Sequence, residues 1–194
     1  MIPAQAPPEA IDCQKCELAQ FRQHVVWGEG PTPASMLFLA ESPGAHEDRQ
    51  ARPLVGQAGK MLDKLMEQAG IERKEVYLAN MVKCRPPNNK LERYPSALIQ
   101  CRSWLEQEFG EVRPRVIVSL GATASSEFFP GMAVRELCTL GRVLEMDWGM
   151  VEVFGTYHPS AVMRPGGQAL VGGVLAQFRR AKETSKKKED DSNG

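Results

Sequence analysis

Four short stretches of the chain are almost wholly apolar: Met36–Ala40 (MLFLA), Val76–Ala79 (VYLA), Val116–Leu120 (VIVSL) and Val151–Phe154 (VEVF). Unbroken runs of this kind suit strands that are covered on both faces, as in a parallel sheet between helices. Between the runs the apolar positions change period. Leu62, Leu65, Met66 and Ala69 fall at i, i+3, i+4 and i+7, which predicts a helix stopping near Gly70. A second helix is predicted over 97–109, with Leu98, Cys101, Trp104, Leu105 and Phe109 on its apolar side, and a last one over 168–182. Val143–Met146 and Val151–Phe154, joined around Asp147-Trp148-Gly149, predict a hairpin that adds an antiparallel element. The expected fold class is α/β, a central, mainly parallel four-stranded sheet flanked by helices.

The two ends break this pattern. Residues 1–10 carry Pro3, Pro7 and Pro8, and 183–194 (ETSKKKEDDSNG) offers nothing apolar to pack, so both are expected to be disordered around one domain at 11–182. At 194 residues and 42% apolar content the chain can fill one core. Lys+Arg and Asp+Glu both number 24, so overall charge carries no nucleic-acid signature and any such contact must come from local clustering. No run approaches the roughly 20 apolar residues of a membrane span, and the start lacks a signal peptide's basic and apolar regions. A cytoplasmic protein without membrane contact is expected, as a monomer.

Polar, Gly- and Pro-rich groups follow each apolar run: Glu41-Ser42-Pro43-Gly44, then Asn80, then Gly121-Ala122-Thr123, then Tyr157-His158-Pro159-Ser160. Any one of them reads as an ordinary turn. Four at strand carboxyl ends point to a ligand site, because loops and helix N-termini converge on that edge of an open α/β sheet. Cysteines stand at 13, 16, 84, 101 and 138. Cys13-x2-Cys16 can chelate from one turn, and Cys84 with Cys101 would complete four thiolates, for which zinc and iron–sulfur are both open. Cys138, among Val134, Leu137 and Leu140, reads as a structural thiol. Lys83, Arg85, Lys90 and Arg93 surround Cys84 and suggest a phosphate-binding surface, against the plainer alternative of a solvated basic loop.

Taken in order, these motifs resemble the iron–sulfur uracil-DNA glycosylases of the thermophile type, family four. The resemblance runs through Glu41-Ser42-Pro43-Gly44 with Glu47-Asp48, Arg52-Pro53-Leu54-Val55-Gly56-Gln57-Ala58-Gly59, Asn80-Met81-Val82-Lys83-Cys84-Arg85-Pro86-Pro87-Asn88-Asn89, Leu120-Gly121-Ala122-Thr123-Ala124 and His158-Pro159-Ser160. It covers about residues 12–182 and implies a uracil-DNA glycosylase-like fold. It further implies a [4Fe–4S] cluster on Cys13, Cys16, Cys84 and Cys101, and a reaction that flips uracil from single- or double-stranded DNA and hydrolyses its glycosidic bond.

By the same resemblance Asn80 reads the uracil edge and His158 donates to uracil O2 as negative charge develops there. Glu41 and Glu47 are candidate catalytic groups, for orienting water, stabilising the cationic sugar or holding the loop; Glu41 capping the local backbone is the plainer reading. Ser42, Gly44 and Leu54 are expected against the substrate. Lys83, Arg85, Ser160, Met163 and Arg164 are expected against DNA, with Val162 and Met163 as an apolar wedge on a loop loosened by Gly166 and Gly167. Three positions depart from the family pattern, which commonly has Gly at Ala40, Ala at Ser42 and a base-stacking Phe at Leu54. The last leaves room for a glycosylase of deaminated purines, hypoxanthine or xanthine, and a noncatalytic damage-binding module is a further alternative.

Overall fold

The computed structural model of the protein describes residues 6–190, with side chains through Lys187. Five strands, β1 (Met36–Ala40), β2 (Tyr77–Asn80), β3 (Val116–Leu120), β4 (Arg142–Met146) and β5 (Gly149–Thr156), form one sheet in the order β2-β1-β3-β5-β4. The first four in that order run parallel, and β4 pairs antiparallel with β5. The helices are α1 (Pro8–Ile11), α2 (Ala45–Gln50), α3 (Gln57–Gln68), α4 (Pro95–Val112), α5 (Gly121–Ser126), α6 (Val134–Leu137), α7 (Pro159–Val162) and α8 (Val171–Asp190). The sheet has five strands rather than four, because the hairpin expected over 143–154 forms and its first arm, β4, joins the sheet as the antiparallel edge strand beside β5.

Alternation along the strands divides the apolar side chains between two cores. Phe38, Leu78, Val116, Val118 and Phe154 pack on Leu62, Leu65 and Met66 of α3 and on Val174 and Phe178 of α8. Leu37, Leu39, Tyr77, Ala79, Ile117 and Val153 pack on Leu105, Phe109 and Val112 of α4 and on Phe128 and Phe129. Burial on both sides accounts for the unbroken apolar runs, since each such side chain contributes about 1.5–3 kcal/mol.

β1 lies between β2 and β3, so the chain leaves it in one direction and later returns on the other side. The loops after β1 and β3 therefore part there and leave a crevice at the carboxyl edge.

The described parts of both ends are helical rather than without structure. Residues 8–11 are helical with Ala10 fully buried, and α8 continues through 183–190 with Ser185 buried. The Lys/Glu run extends a helix already nucleated by packing, where adding a residue requires no new nucleus. The expectations for residues 1–5 and 191–194 lie outside the described residues. No helix among the described residues is long and apolar enough to cross a membrane.

Candidate active site and thiol group

The loops at the carboxyl edge enclose a cleft of about 620 Å³. Glu41, Ser42, Gly44 and Glu47 enter it from the segment after β1, Asn80 from the end of β2, and His158, Ser160 and Arg164 from the segment after β5. Leu54 forms part of the wall. Lys83, Arg85 and Met163 are not among the lining residues.

Asn80 is 2% exposed, and its Nδ2 is the one buried side-chain nitrogen or oxygen among the described residues with no hydrogen-bond partner. Leaving such a donor unmet costs about 1–3 kcal/mol, and an acceptor brought by a ligand would recover it.

His158 sits in the extended residue before α7, where its Nδ1 accepts from the Ser160 backbone N–H at 3.2 Å and lies 2.8 Å from Ser160 Oγ. An amide can only donate, so Nδ1 is unprotonated and a neutral ring carries its proton on Nε2. Burial pushes the His158 pKa below 6.5, the nearby Arg164 adds to this, and Glu47 opposes both. The site thus favours a neutral donor. Gly121 comes so close that a Cβ on it would stand 3.0 Å from His158 Cβ, and its φ of +87° also favours glycine.

The carboxylates divide their work. Glu41 accepts a hydrogen bond from Thr123 Oγ1, which joins the loop after β1 to α5. Glu47 Oε1 accepts from the amides of Val55 (2.9 Å) and Gly56 (2.6 Å), and its Oε2 from Gly44 (3.1 Å). A carboxylate holding three backbone donors clamps the loops around it, which fits the loop-holding alternative among those expected of Glu47. Ser160, also in the cleft lining, bonds His158 through both its hydroxyl and its amide.

Leu54 is held in a left-handed conformation, φ +52°, and is buried in the core as well as lining the cleft. Arg73 secures it by donating to the carbonyls of Leu54 and Pro53, both at 3.0 Å, while pairing with Asp63 at 2.7 Å.

Three DNA-contact expectations need correction or refinement. Lys83 is 1% exposed and ion-paired with Glu108, so it cannot meet a phosphate; the basic spacing in the sequence does not reveal that α4 supplies a buried counter-ion. Val162 is core, whereas Met163 is 45% exposed. Gly167 is required by packing rather than for mobility, because a Cβ there would meet Ala161 O at 2.3 Å. Arg85 Nε donates to Asn89 Oδ1 at 2.9 Å beside the cleft. Asn89, Thr123 and His46 belong to the lining and were not singled out from the sequence, although the first two lie within the motifs quoted above.

Away from the cleft, Cys16, Cys84 and Cys101 pack in a small core with Leu18, Val82 and Leu91. Cys13 is tied to this region through Trp104 of α4, whose Nε1 donates to its Sγ at 3.3 Å. The Lys83 amide donates to Cys101 Sγ at 3.3 Å and Arg22 Nη1 to Cys84 Sγ at 3.6 Å. All four are free thiols. Burial pushes Cys84 up to about 12, and Arg22 pulls the other way; burial also raises Cys101 and Cys16. Among the described residues no group of three or more His, Cys, Asp or Glu side chains is drawn up to hold a metal ion. Cys138 stands apart, bonded to Val134 O at 3.6 Å.

The uracil DNA glycosylase superfamily matches residues 27–179. A type-4 uracil-DNA glycosylase of Thermotoga maritima is 40% identical over 176 residues, covering 90% of each chain. One from Saccharolobus solfataricus is 36% identical over 183 residues, covering 90% of this chain and 82% of its own. A type-5 uracil-DNA glycosylase of Thermus thermophilus is 33% identical over 136 residues, 60% of this chain and 61% of its own. With the matched region spanning the cleft from its first loop to His158, the chain belongs to the uracil-DNA glycosylase superfamily and, within it, to the type-4 group.

Proposed function

We propose that this protein excises uracil from DNA by hydrolysing the N-glycosidic bond, leaving an abasic site. The observation that carries the reading is the unmet Nδ2 of Asn80 in the cleft that also holds His158. Uracil presents an acceptor, O4, beside a donor, N3–H, and one amide side chain answers both; cytosine reverses that pattern. An edge inside duplex DNA is unreachable, so the nucleotide must be turned out into the cleft. As the bond breaks, negative charge gathers on uracil O2. The His158 Nε2–H is a fixed donor for it, stronger toward the transition state than toward the bound substrate. Glu41, positioned by Thr123, places a carboxylate at the same cleft for the cationic sugar and the attacking water. Met163 and Arg164 reach the gap in the DNA, and Arg85, Lys90 and Arg93 face phosphate.

A [4Fe–4S] cluster on Cys13, Cys16, Cys84 and Cys101 belongs to the same proposal. The donor set suits it: four free thiols, three with a side-chain or backbone N–H on sulfur, a feature that tunes such clusters. When bound, the cluster would crosslink the N-terminal segment to the 84–101 region and offer a redox-active centre. The protein is further proposed to act as a monomer, in the cytoplasm, on single- or double-stranded DNA.

Oligonucleotides carrying uracil, hypoxanthine, xanthine or no lesion, assayed for alkali-labile abasic sites, test the activity. Uracil cleavage alone supports it, purine-only release would transfer the site to deaminated purines, and binding without cleavage would make the protein a damage-binding module. Anaerobically purified protein should be brown with about four irons and four sulfides per chain; a zinc-only product would overturn the cluster assignment.

A further inference from the structure

Lys83 and Glu108 form an ion pair in the interior, their side chains 2% and 0% exposed. Nothing in the excision chemistry uses either charge. Glu108 Oε1 accepts from the Gly28 amide at 2.6 Å and from Tyr77 Oη at 3.4 Å, and the Lys83 ammonium stands 5.4 Å from the centre of the Trp27 ring. The same ammonium donates to the main-chain carbonyl of Asn80 at 2.7 Å.

The placement of that last bond is informative. Beyond β2 the chain stays tied to β1, with Met81 N on Ala40 O at 2.9 Å and Val82 N on Glu41 O at 3.2 Å. The Asn80 carbonyl is held by Lys83 Nζ. Lys83 in turn is referenced to α4 twice, by its ammonium to Glu108 and by its amide to Cys101 Sγ. Burying two charges does not by itself stabilise a fold more than well-packed apolar residues of the same volume. A gain in stability is therefore a poor reason for this pair, and a gain in position is a better one.

We infer that Lys83 is a positioning residue for base selection: by holding the Asn80 carbonyl it sets the angle at which the Asn80 amide meets the edge of the flipped base. The inference deepens the uracil reading above and rests on it. Hydrogen bonds prefer donor angles above about 150° and weaken steeply below about 120°, so a rotation of the amide lowers selectivity before it abolishes binding.

The test measures binding rather than turnover. Oligonucleotides containing one 2′-fluoro-2′-deoxyuridine or one 2′-fluoro-2′-deoxycytidine, whose glycosidic bonds resist cleavage, are titrated against the whole anaerobically purified protein, and the ratio of the two Kd values is taken. Lys83→Met alone strands Glu108, so the variants are Lys83→Met/Glu108→Gln, which removes both charges, and Lys83→Arg, which keeps a cation opposite Glu108 but moves its donors. Both are expected to lower the ratio on the order of tenfold, the effect of one misaligned hydrogen bond. A folded variant of either kind with the wild-type ratio overturns the role, including one whose affinity for both oligonucleotides falls equally, which is the mark of a merely structural residue. A wild type that does not prefer the deoxyuridine probe would defeat the uracil reading itself, and this inference with it.

Discussion

Two cavities of the protein differ in a way that size does not convey. The larger, about 800 Å³, lies between α4 and the β4–β5 hairpin and is walled by Arg102, Phe109, Arg113, Glu127, Met146 and Trp148. Several of its polar groups are already paired: Arg102 with Glu106 at 2.8 Å and with Glu127 at 2.9 Å, and Trp148 Nε1 with Pro114 O at 3.0 Å. The smaller cleft at the strand ends contains the unmet donor of Asn80 and a histidine held in one tautomer. No buried polar side-chain atom of the larger cavity lacks a partner among the described residues. The site is where the fold carries a polar group whose partner must come from outside.

Substitutions on the two sides should separate by orders of magnitude. His158→Ala is expected to lower single-turnover uracil excision by about 10²–10³-fold, the usual loss for one donor to a developing oxyanion; a rate like the wild type's would remove His158 from the mechanism. Asn80→Ala should cost about 10–10²-fold, from hydrogen bonds worth about 1–3 kcal/mol in a buried site. Asn80→Asp should go further in kind, repelling uracil O4 while offering an acceptor to the cytosine amine, so cytosine release should become measurable. If Asn80→Asp kept its full preference for uracil, the amide would not be the reader.

Acid should have a smaller, graded effect. The His158 pKa is lowered on folding, so between its native value and the ordinary value of about 6.5 the unfolded chain binds the extra proton. The stability contributed by the neutral ring is complete above that ordinary value and is lost as pH falls through it toward the native pKa. Single-turnover rates should stay level from pH 8 down to about 6.5 and decline only below, with His158→Ala lacking the decline. Arg102→Ala, in the other cavity, should change excision less than about twofold and stability by no more than about 1 kcal/mol, since its ion pairs are solvent-exposed. A large loss there would erase the distinction between the cavities.

Much of this was legible from local pattern. The four apolar runs became β1, β2, β3 and β5, and Leu62, Leu65 and Met66 are the buried face of α3, because burial on a regular element imprints its period on the residues that form it. The polar groups after the strands do meet, as the switch in strand order between β2-β1 and β3 requires. The antiparallel arm β4 was anticipated as half of a hairpin but not counted in the sheet, since this edge strand is largely exposed and carries no continuous apolar signal. The helical continuation past 182 was hidden for a related reason: Lys and Glu read as solvated whether or not a packed helix precedes them.

The residue types at 80 and 158 carry their own chemistry, an amide with a donor and an acceptor and an imidazole that can hold one proton, and their places after apolar runs follow from short-range pattern. The roles of Glu47 and Lys83 do not. One carboxylate is occupied by three amides from two different loops, and one lysine is drawn inward by Glu108 on a distant helix. Charge, size and hydrogen-bonding capacity are properties of a side chain and can be read where it stands in the chain. Whether that charge faces water, a phosphate or a buried counter-ion depends on partners brought near only by packing, which is why the fold and not the local motif placed Lys83 in the interior, on Glu108 and the Asn80 carbonyl, instead of on the surface.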